Sequence, residues 1–295
     1  MEPKFSIVVP CYNEARYIAD TLNSLRRQTY TGCYEIIVVD NNCTDATADI
    51  ARGLGVRVVH ESNPGVCWAR QRGTTESAGE IVVSADADTT YAPDWLTKID
   101  RSFAADDQIV AVTGPCRYVG GPLWGRLFAR GLFGGVHLVY RLTGRILYVT
   151  ATNIAFRRKY WSGYDVNLTQ GGDELNLLRD LRGAGRVVYD HTNPTYTSSR
   201  RLTRGLLYGF VVTVLVYYLL GYALNRLFRR TVIGMAPAYR DDRGPLARGL
   251  QTAVLAVLTA LLLLLPFARP RHYLMEKSDT VVDYVTSTVS GTVHR

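Results

Sequence analysis

Short apolar, β-branched runs alternate with helical stretches over the first two hundred residues, and this alternation restricts the fold more than any other feature. The runs Phe5–Val9, Glu35–Val39, Val56–Val59, Ile81–Ser84 and Ile109–Thr113 are too short for helices and rich in Val and Ile, as buried strands are. Between them, apolar residues recur at helical spacing. Ile18, Leu22 and Leu25 fall near one face, with Asn13 placed to cap that helix and Glu14 behind it. Thr44-Asp45 can start a second helix around Ala46–Ala51. Pro93 suits the first turn of a third, which carries Trp95, Leu96, Ile99 and Phe103. This α/β order predicts a mainly parallel sheet covered by helices. Ligands of such sheets bind beyond the carboxyl ends of the strands.

Three strand ends carry polar groups suited to a ligand. Ile81-Val82-Val83-Ser84 runs into Ala85-Asp86-Ala87-Asp88, two carboxylates one residue apart. Carboxylates are hard oxygen ligands for Mg²⁺ or Mn²⁺, and an ion bridging a diphosphate needs few protein ligands. Alone, such a pair also serves as a helix cap or turn. Asp40 ends the run Ile36-Ile37-Val38-Val39, where its carboxylate can accept hydrogen bonds from a base or ribose, or cap the next helix. Pro10, Tyr12, Asn13 and Glu14 follow the first strand. Capping alone does not account for polar groups at three successive strand ends.

These segments form an ordered set: Val8-Val9-Pro10-Cys11-Tyr12-Asn13-Glu14, Val38-Val39-Asp40-Asn41-Asn42-Cys43-Thr44-Asp45, Asn63-Pro64-Gly65 with Ala69-Arg70, Ala78-Gly79-Glu80, and Asp86-Ala87-Asp88. The set resembles the family 2 glycosyltransferases over residues 4–200. The resemblance implies the GT-A fold, a nucleotide-diphosphate sugar donor and a divalent metal, Mg²⁺ or Mn²⁺. It implies that Pro10, Tyr12, Glu14 and Asp40 line the nucleotide pocket with Arg70 near it, that Asp86 faces ribose or metal, and that Asp88 holds the metal.

The later half continues the resemblance. Thr152-Asn153-Ile154-Ala155-Phe156-Arg157-Arg158 is similar to the strand beside the acceptor site, which puts Asn153 in that region. Gly171-Gly172-Asp173-Glu174-Leu175, with Arg179 and Gly185 behind it, resembles the family's acidic helix start, whose Asp is the catalytic base. Gly172 replaces the usual Glu there, so Asp173 and Glu174 both align; Asp173 is the expected base and Glu174 falls on the acceptor side. His191 follows Val187-Val188-Tyr189, near where related enzymes often carry a metal-binding His; a structural His is the alternative. Arg200 and Arg201 can neutralise a departing diphosphate with their guanidinium forks, or anchor the chain at a membrane. Processive synthases of the family carry Q-x-x-R-W in this region. Thr197–Leu202 has neither the Gln nor the Trp, which predicts single sugar additions by an inverting transferase.

The remaining sequence points toward a bilayer. Gly205–Asn225 and Gly249–Ala268 are uncharged runs of 21 and 20 residues, each roughly 30 Å long as a helix. They predict two membrane helices within 201–270, behind a GT-A domain over 1–200 and ahead of a polar tail over 271–295. The intervening loop holds Arg226, Arg229, Arg230, Arg240, Arg243 and Arg248, and the positive-inside tendency resists a simple hairpin. Spanning and interfacial arrangements both stay open. Within 114–148, Trp124, Leu127, Phe128, Leu132 and Phe133 mix with Arg126 and Arg130. This is either an amphipathic core helix or a helix lying at a bilayer surface, and Trp124 belongs to the acceptor region in the second case.

The chain carries 34 basic and 26 acidic residues, a net charge of +8. Its arginines flank apolar stretches instead of alternating with stacking aromatics, which favours a membrane over nucleic acid. No apolar leader precedes Phe5, so the catalytic domain is expected on the cytoplasmic side of the cytoplasmic membrane. The five cysteines lack metal-ligand spacing and read as free thiols. The expected acceptor is a membrane lipid, polyprenyl phosphate first, then a lipid-linked saccharide or a headgroup hydroxyl. A non-catalytic nucleotide-sugar-binding membrane scaffold is the competing class. A nicotinamide oxidoreductase is disfavoured, because no G-x-G-x-x-G follows the first strand.

Overall fold

A computed structural model describes residues 2–167, 172–202 and 220–228. The main sheet contains β1 (Phe5–Cys11), β2 (Tyr34–Asp40), β3 (Arg57–His60), β4 (Ile81–Ser84), β6 (Ile109–Thr113), β8 (Ile154–Arg157) and β9 (Arg186–Tyr189). A second, three-stranded sheet contains β5 (Thr89–Tyr91), β7 (Cys116–Val119) and β10 (Thr195–Ser198). The spatial orders are β3-β2-β1-β4-β8-β6-β9 and β5-β10-β7. All five expected strands form within a residue or two of their expected limits, and the main sheet is parallel except at β8. That strand runs antiparallel to both β4 and β6.

Helices α1 (Ile18–Arg26), α2 (Thr47–Gly53), α3 (Val66–Thr75), α4 (Trp95–Ala104), α5 (Leu123–Thr143), α6 (Leu177–Ala184) and α7 (Gly221–Phe228) complete the described elements. The period-two alternation of the strands sends Phe5, Ile7, Val9 and Val83 to one face, against Leu22, Leu25, Trp95 and Leu96. Val8, Ile37, Val39 and Val82 go to the other, against Ala69 of α3 and Leu177 and Leu181 of α6. Each fully buried aliphatic side chain contributes about 1.5–3 kcal/mol relative to exposure. Helix α3 lies so close to β1 and β2 that a Cβ on Gly73 would collide with Val8 and Val39.

One expectation changes, and one lies outside the described residues. Asn13 does not cap α1, which begins at Ile18 with no side-chain cap. Instead its backbone is left-handed, with φ 54°. Its side-chain NH₂ donates to Thr44 Oγ1 at 2.9 Å, and its carbonyl oxygen accepts from Thr44 N at 2.6 Å. An Asn tolerates this conformation better than most residues, and the pair locks the β1 loop to the β2 loop. The expected membrane helices lie almost wholly outside the described residues, which keep only the end of the first run in α7. Among the described residues, no helix is long and apolar enough to cross a membrane.

Candidate active site

Strands β2, β1 and β4 are adjacent and parallel, in a register that pairs Cys11 with Asp40 and Val8 with Ser84. The residues that follow them therefore share one edge. At the end of β2, Asp40 Oδ1 accepts from Cys43 N at 2.8 Å. Its other oxygen lies 3.6 Å from His60 Nδ1. The next residue, Asn41, holds the loop after β3 by donating to Glu61 O and Asn63 O and accepting from Gly65 N. Beyond β1, Tyr12 is exposed while Glu14 is buried, with its N–H donated to Thr47 Oγ1 at 2.7 Å.

The segment after β4 is held from both sides. Arg70, on α3, is buried to 2% exposure. Its guanidinium donates to Ser84 Oγ and, at 2.6 Å, to Asp86 Oδ1. The Asp86 N–H donates to the Tyr91 hydroxyl at 3.0 Å. The backbone carbonyl of Asp88 accepts from Ser198 N, and its Oδ1 accepts from Thr197 Oγ1 at 3.3 Å. The small sheet thus positions Asp88, because β10 carries Thr197 and Ser198 past it.

Arg200, just beyond β10, joins the strand ends. It donates to both Glu14 oxygens at 2.6 Å and lies 3.0 Å from Asp88 Oδ2. Its guanidinium sits over the Tyr17 ring, 5.0 Å from the centroid. The arrangement places Arg200 with Glu14 and Asp88.

The local field is negative. Burial pushes the Cys11 thiol well above its ordinary value, and Cys43, Glu14, Asp40 and Asp86 add to the shift. Burial, with Asp86 and Asp88 adding to it, pushes Cys116 up to about 12. Tyr91 is raised by burial first and then by Asp86. Its phenol stays protonated and serves as a hydrogen-bonding post. Shifts of this sign around clustered carboxylates mark a place that favours added positive charge.

A divalent metal fits this donor set in part. Asp86 and Asp88 are hard carboxylate ligands at one strand end, with side chains 36% and 14% exposed. His191 does not join them. Among the described residues no three His, Cys, Asp or Glu side chains group into a metal site. The His191 ring stacks on His137 of α5 at 4.2 Å. It follows β9, at the edge of the main sheet, and turns onto α5 there.

Asn153 is held within the core. It is buried, its Oδ1 accepts from Trp95 Nε1 at 3.0 Å, and its NH₂ donates to Pro115 O and Asn193 O. Both amide hydrogens are used, so Asn153 fastens the core at the start of β8. An unpaired buried indole N–H would cost about 1–3 kcal/mol. Glu174 accepts from Ala151 N at 3.0 Å, tying its turn to the segment before β8. Asp173 lies in one π-helical turn, Gly172–Asn176, that leads into α6. The side chains of Asp173 and Arg201 lie outside the described part of the structure. Trp124 is half-buried at the start of α5, and Pro10 lies on β1 opposite Val39.

Tyr17, Asn41, Tyr91 and Thr197 were not marked by the sequence. Tyr17, Asn41 and Thr197 act across long separations in the chain, whereas Tyr91 accepts the Asp86 N–H from five residues away.

Residues 6–163 match the family described as Glycosyl transferase family 2. A glucosyl-dolichyl phosphate glucuronosyltransferase of Haloferax volcanii is 28% identical over 188 residues, 58% of this chain and 59% of the relative. An undecaprenyl-phosphate 4-deoxy-4-formamido-L-arabinose transferase of Edwardsiella ictaluri is 32% identical over 153 residues, 48% of this chain and 44% of the relative. The chain thus spans about half the length of these relatives. The crystal structure of S. aureus TarS 1-349 in complex with UDP aligns with a TM-score of 0.54 at 21% identity, covering 68% of this chain and 64% of that one. That likeness carries the GT-A fold.

Proposed function

Because the chain belongs to glycosyl transferase family 2, we propose that it moves a sugar from a nucleoside-diphosphate donor to a membrane lipid acceptor, one sugar at a time and with inversion. One observation carries this reading: Glu14, Asp40, Asp86 and Asp88 converge at the carboxyl ends of three adjacent parallel strands, with Arg200 among them. Asp40, Tyr12 and Pro10 suit the base and ribose. Asp88, with Asp86, suits Mg²⁺ or Mn²⁺, whose chemistry would be to neutralise charge on the diphosphate. Arg70 fixes Asp86 from behind, and Arg200 with Arg201 supplies cationic hydrogen-bond donors for the leaving group.

In the proposed reaction the acceptor oxygen bonds to the anomeric carbon from the side opposite the leaving group. The bond from that carbon to the diphosphate oxygen breaks, and the electron pair leaves with the nucleoside diphosphate. When the acceptor is a hydroxyl, Asp173 takes its proton. A phosphate acceptor is already ionised and needs no such base.

The relatives' names support both lipid acceptors. One pairs undecaprenyl phosphate with a transferase, which favours polyprenyl phosphate. The other pairs glucosyl-dolichyl phosphate with glucuronosyl transfer, which favours a lipid-linked saccharide. The two uncharged runs, Gly205–Asn225 and Gly249–Ala268, are proposed as the membrane attachment, with the catalytic domain on the cytoplasmic side. The test is a screen of radiolabelled uridine, guanosine and thymidine diphosphate sugars against extracted membrane lipids. Metal-dependent appearance of label in a lipid is expected. Donor binding with neither transfer nor donor hydrolysis would instead indicate a non-catalytic scaffold.

A further inference from the structure

We propose that the outward face of α5 docks on an anionic lipid surface. At about 100° per residue, the buried positions Gly125, Ala129, Phe133 and Val136 fall within one quadrant of the helix. The opposite half carries Leu123, Leu127, Phe128, Leu138 and Leu142, all exposed, with exposed Leu132 at its border. Leu142 is 75% exposed, Leu123 61% and Leu138 59%. Gly131, Gly134 and Gly135 lie between them, and a Cβ on any of these would meet nothing within 4 Å. The charged residues of that half, Arg130 and Arg141, sit at its edge beside Leu123. A helix with water on its outer side carries polar residues there, so this face is built for something other than water.

The charges say what that is. Arg126 lies between the buried quadrant and the apolar half, Arg130 and Arg141 line the adjoining edge of that half, and Arg145 follows the helix. No Asp or Glu occurs between Asp107 and Asp165. A bilayer satisfies both parts at once, with acyl chains for the apolar half and anionic headgroups for the arginine flank. A second copy does not. Packing α5 antiparallel on α5 about a two-fold axis would bring arginine flanks together with no acidic residue of this segment to pair them.

The helix is rooted at the site. A Cβ on Gly121 would collide with Ser199, and one on Gly125 with Leu202. These two neighbours bracket the Arg200–Arg201 pair. A lipid surface held by α5 would therefore lie one helix diameter, about 10 Å, from the wall that holds Arg200. The docking surface deepens the proposed transfer by naming where its lipid side lies, yet it can be tested without turnover.

The test uses the full chain with Cys33→Ser, which removes the exposed thiol. A polarity-sensitive fluorophore is attached at Leu138→Cys, or at Asp49→Cys on α2 as a control. Vesicles are phosphatidylcholine alone or phosphatidylcholine with phosphatidylglycerol. The label at 138 should shift to the blue on the anionic vesicles, and the label at 49 should not. Arg126→Gln with Arg130→Gln should raise the vesicle concentration needed for that shift by about 30-fold, with an unchanged unfolding temperature. A label at 138 that stays aqueous on every vesicle overturns the proposal. So does an equal shift on neutral vesicles, or a shift without lipid that disappears on dilution, which would assign the face to a second copy. A nucleotide-induced thermal shift on the same preparation reads the donor site separately. Its loss would count against the transfer reading and leave the docking surface standing.

Discussion

Arg200 donates to both oxygens of Glu14, at 2.6 Å each, across 186 positions of sequence. The same guanidinium reaches Asp88 at 3.0 Å. One side chain therefore binds the loop after β1 to the loop after β4, at the point proposed for a diphosphate. Arg200→Ala would leave two carboxylates facing each other in a half-closed site. It should cost about 2 kcal/mol in chemical denaturation, less than a fully buried pair because these side chains keep some solvent. Arg200→Lys keeps the charge and loses the fork. Its stability should fall less, while the KM for donor rises about tenfold. Equal donor KM for wild type and both variants would remove Arg200 from the donor site.

Arg70 serves Asp86 from inside the core. Arg70→Met leaves Asp86 without its charged partner and Ser84 without a donor, so a loss of about 3 kcal/mol is expected. Arg70→Lys cannot reach Ser84 and Asp86 with one fork and should recover only part of it. Denaturant midpoints check the stability, and donor titration checks whether Asp86 has moved.

Asp88 tests the metal. Asp88→Ala should lower transfer and donor hydrolysis by more than about 100-fold, with the far-ultraviolet spectrum unchanged. Chelation should do the same to the wild type, and added Mg²⁺ or Mn²⁺ should restore it. Full activity in chelator would exclude the proposed role.

Asp173→Asn separates the two acceptors. Transfer to a hydroxyl should fall by about 10²–10⁴-fold, the usual contribution of a general base, while transfer to polyprenyl phosphate weakens only slightly. The paired assays are run on one preparation. Equal, near-complete loss with both acceptors would contradict this division of labour.

His137 gives a pH dependence. Burial, with His191 and Arg141 adding to it, holds His137 below its ordinary 6.5. The unfolded chain therefore takes up the proton first as the pH falls. His137 leaves stability intact above about pH 7 and reduces it as the pH falls through 6.5 toward the lowered folded value. Unfolding midpoints at about pH 7.5 and pH 5.5 should differ more for the wild type than for His137→Phe.

The strands and the acidic strand ends were readable from the chain because both are local. Phe5–Cys11 and Ile81–Ser84 are buried on both faces, so they appear as unbroken apolar runs, and a parallel sheet gathers whatever follows them at one edge. The three strands of the small sheet were not readable. Cys116–Val119 and Thr195–Ser198 are short and polar, and their strand character comes from pairing with each other. Asn13 was misplaced, and the core contacts of Asn153 were missed, for a related reason. A side-chain amide accepts and donates in any direction, and its partners Thr44, Trp95 and Pro115 are distant in sequence.

By itself, then, the sequence determined the alternating α/β order, the family resemblance and the carboxylates that end β1, β2 and β4, because hydrophobic periodicity and short motifs are properties of contiguous residues. The tertiary structure alone decided that Arg200 closes on Glu14 and Asp88, that His191 lies against His137, and that α5 buries one quadrant and leaves an apolar half exposed. Those outcomes depend on which distant segments are brought within a few ångströms, and only chain packing sets that distance.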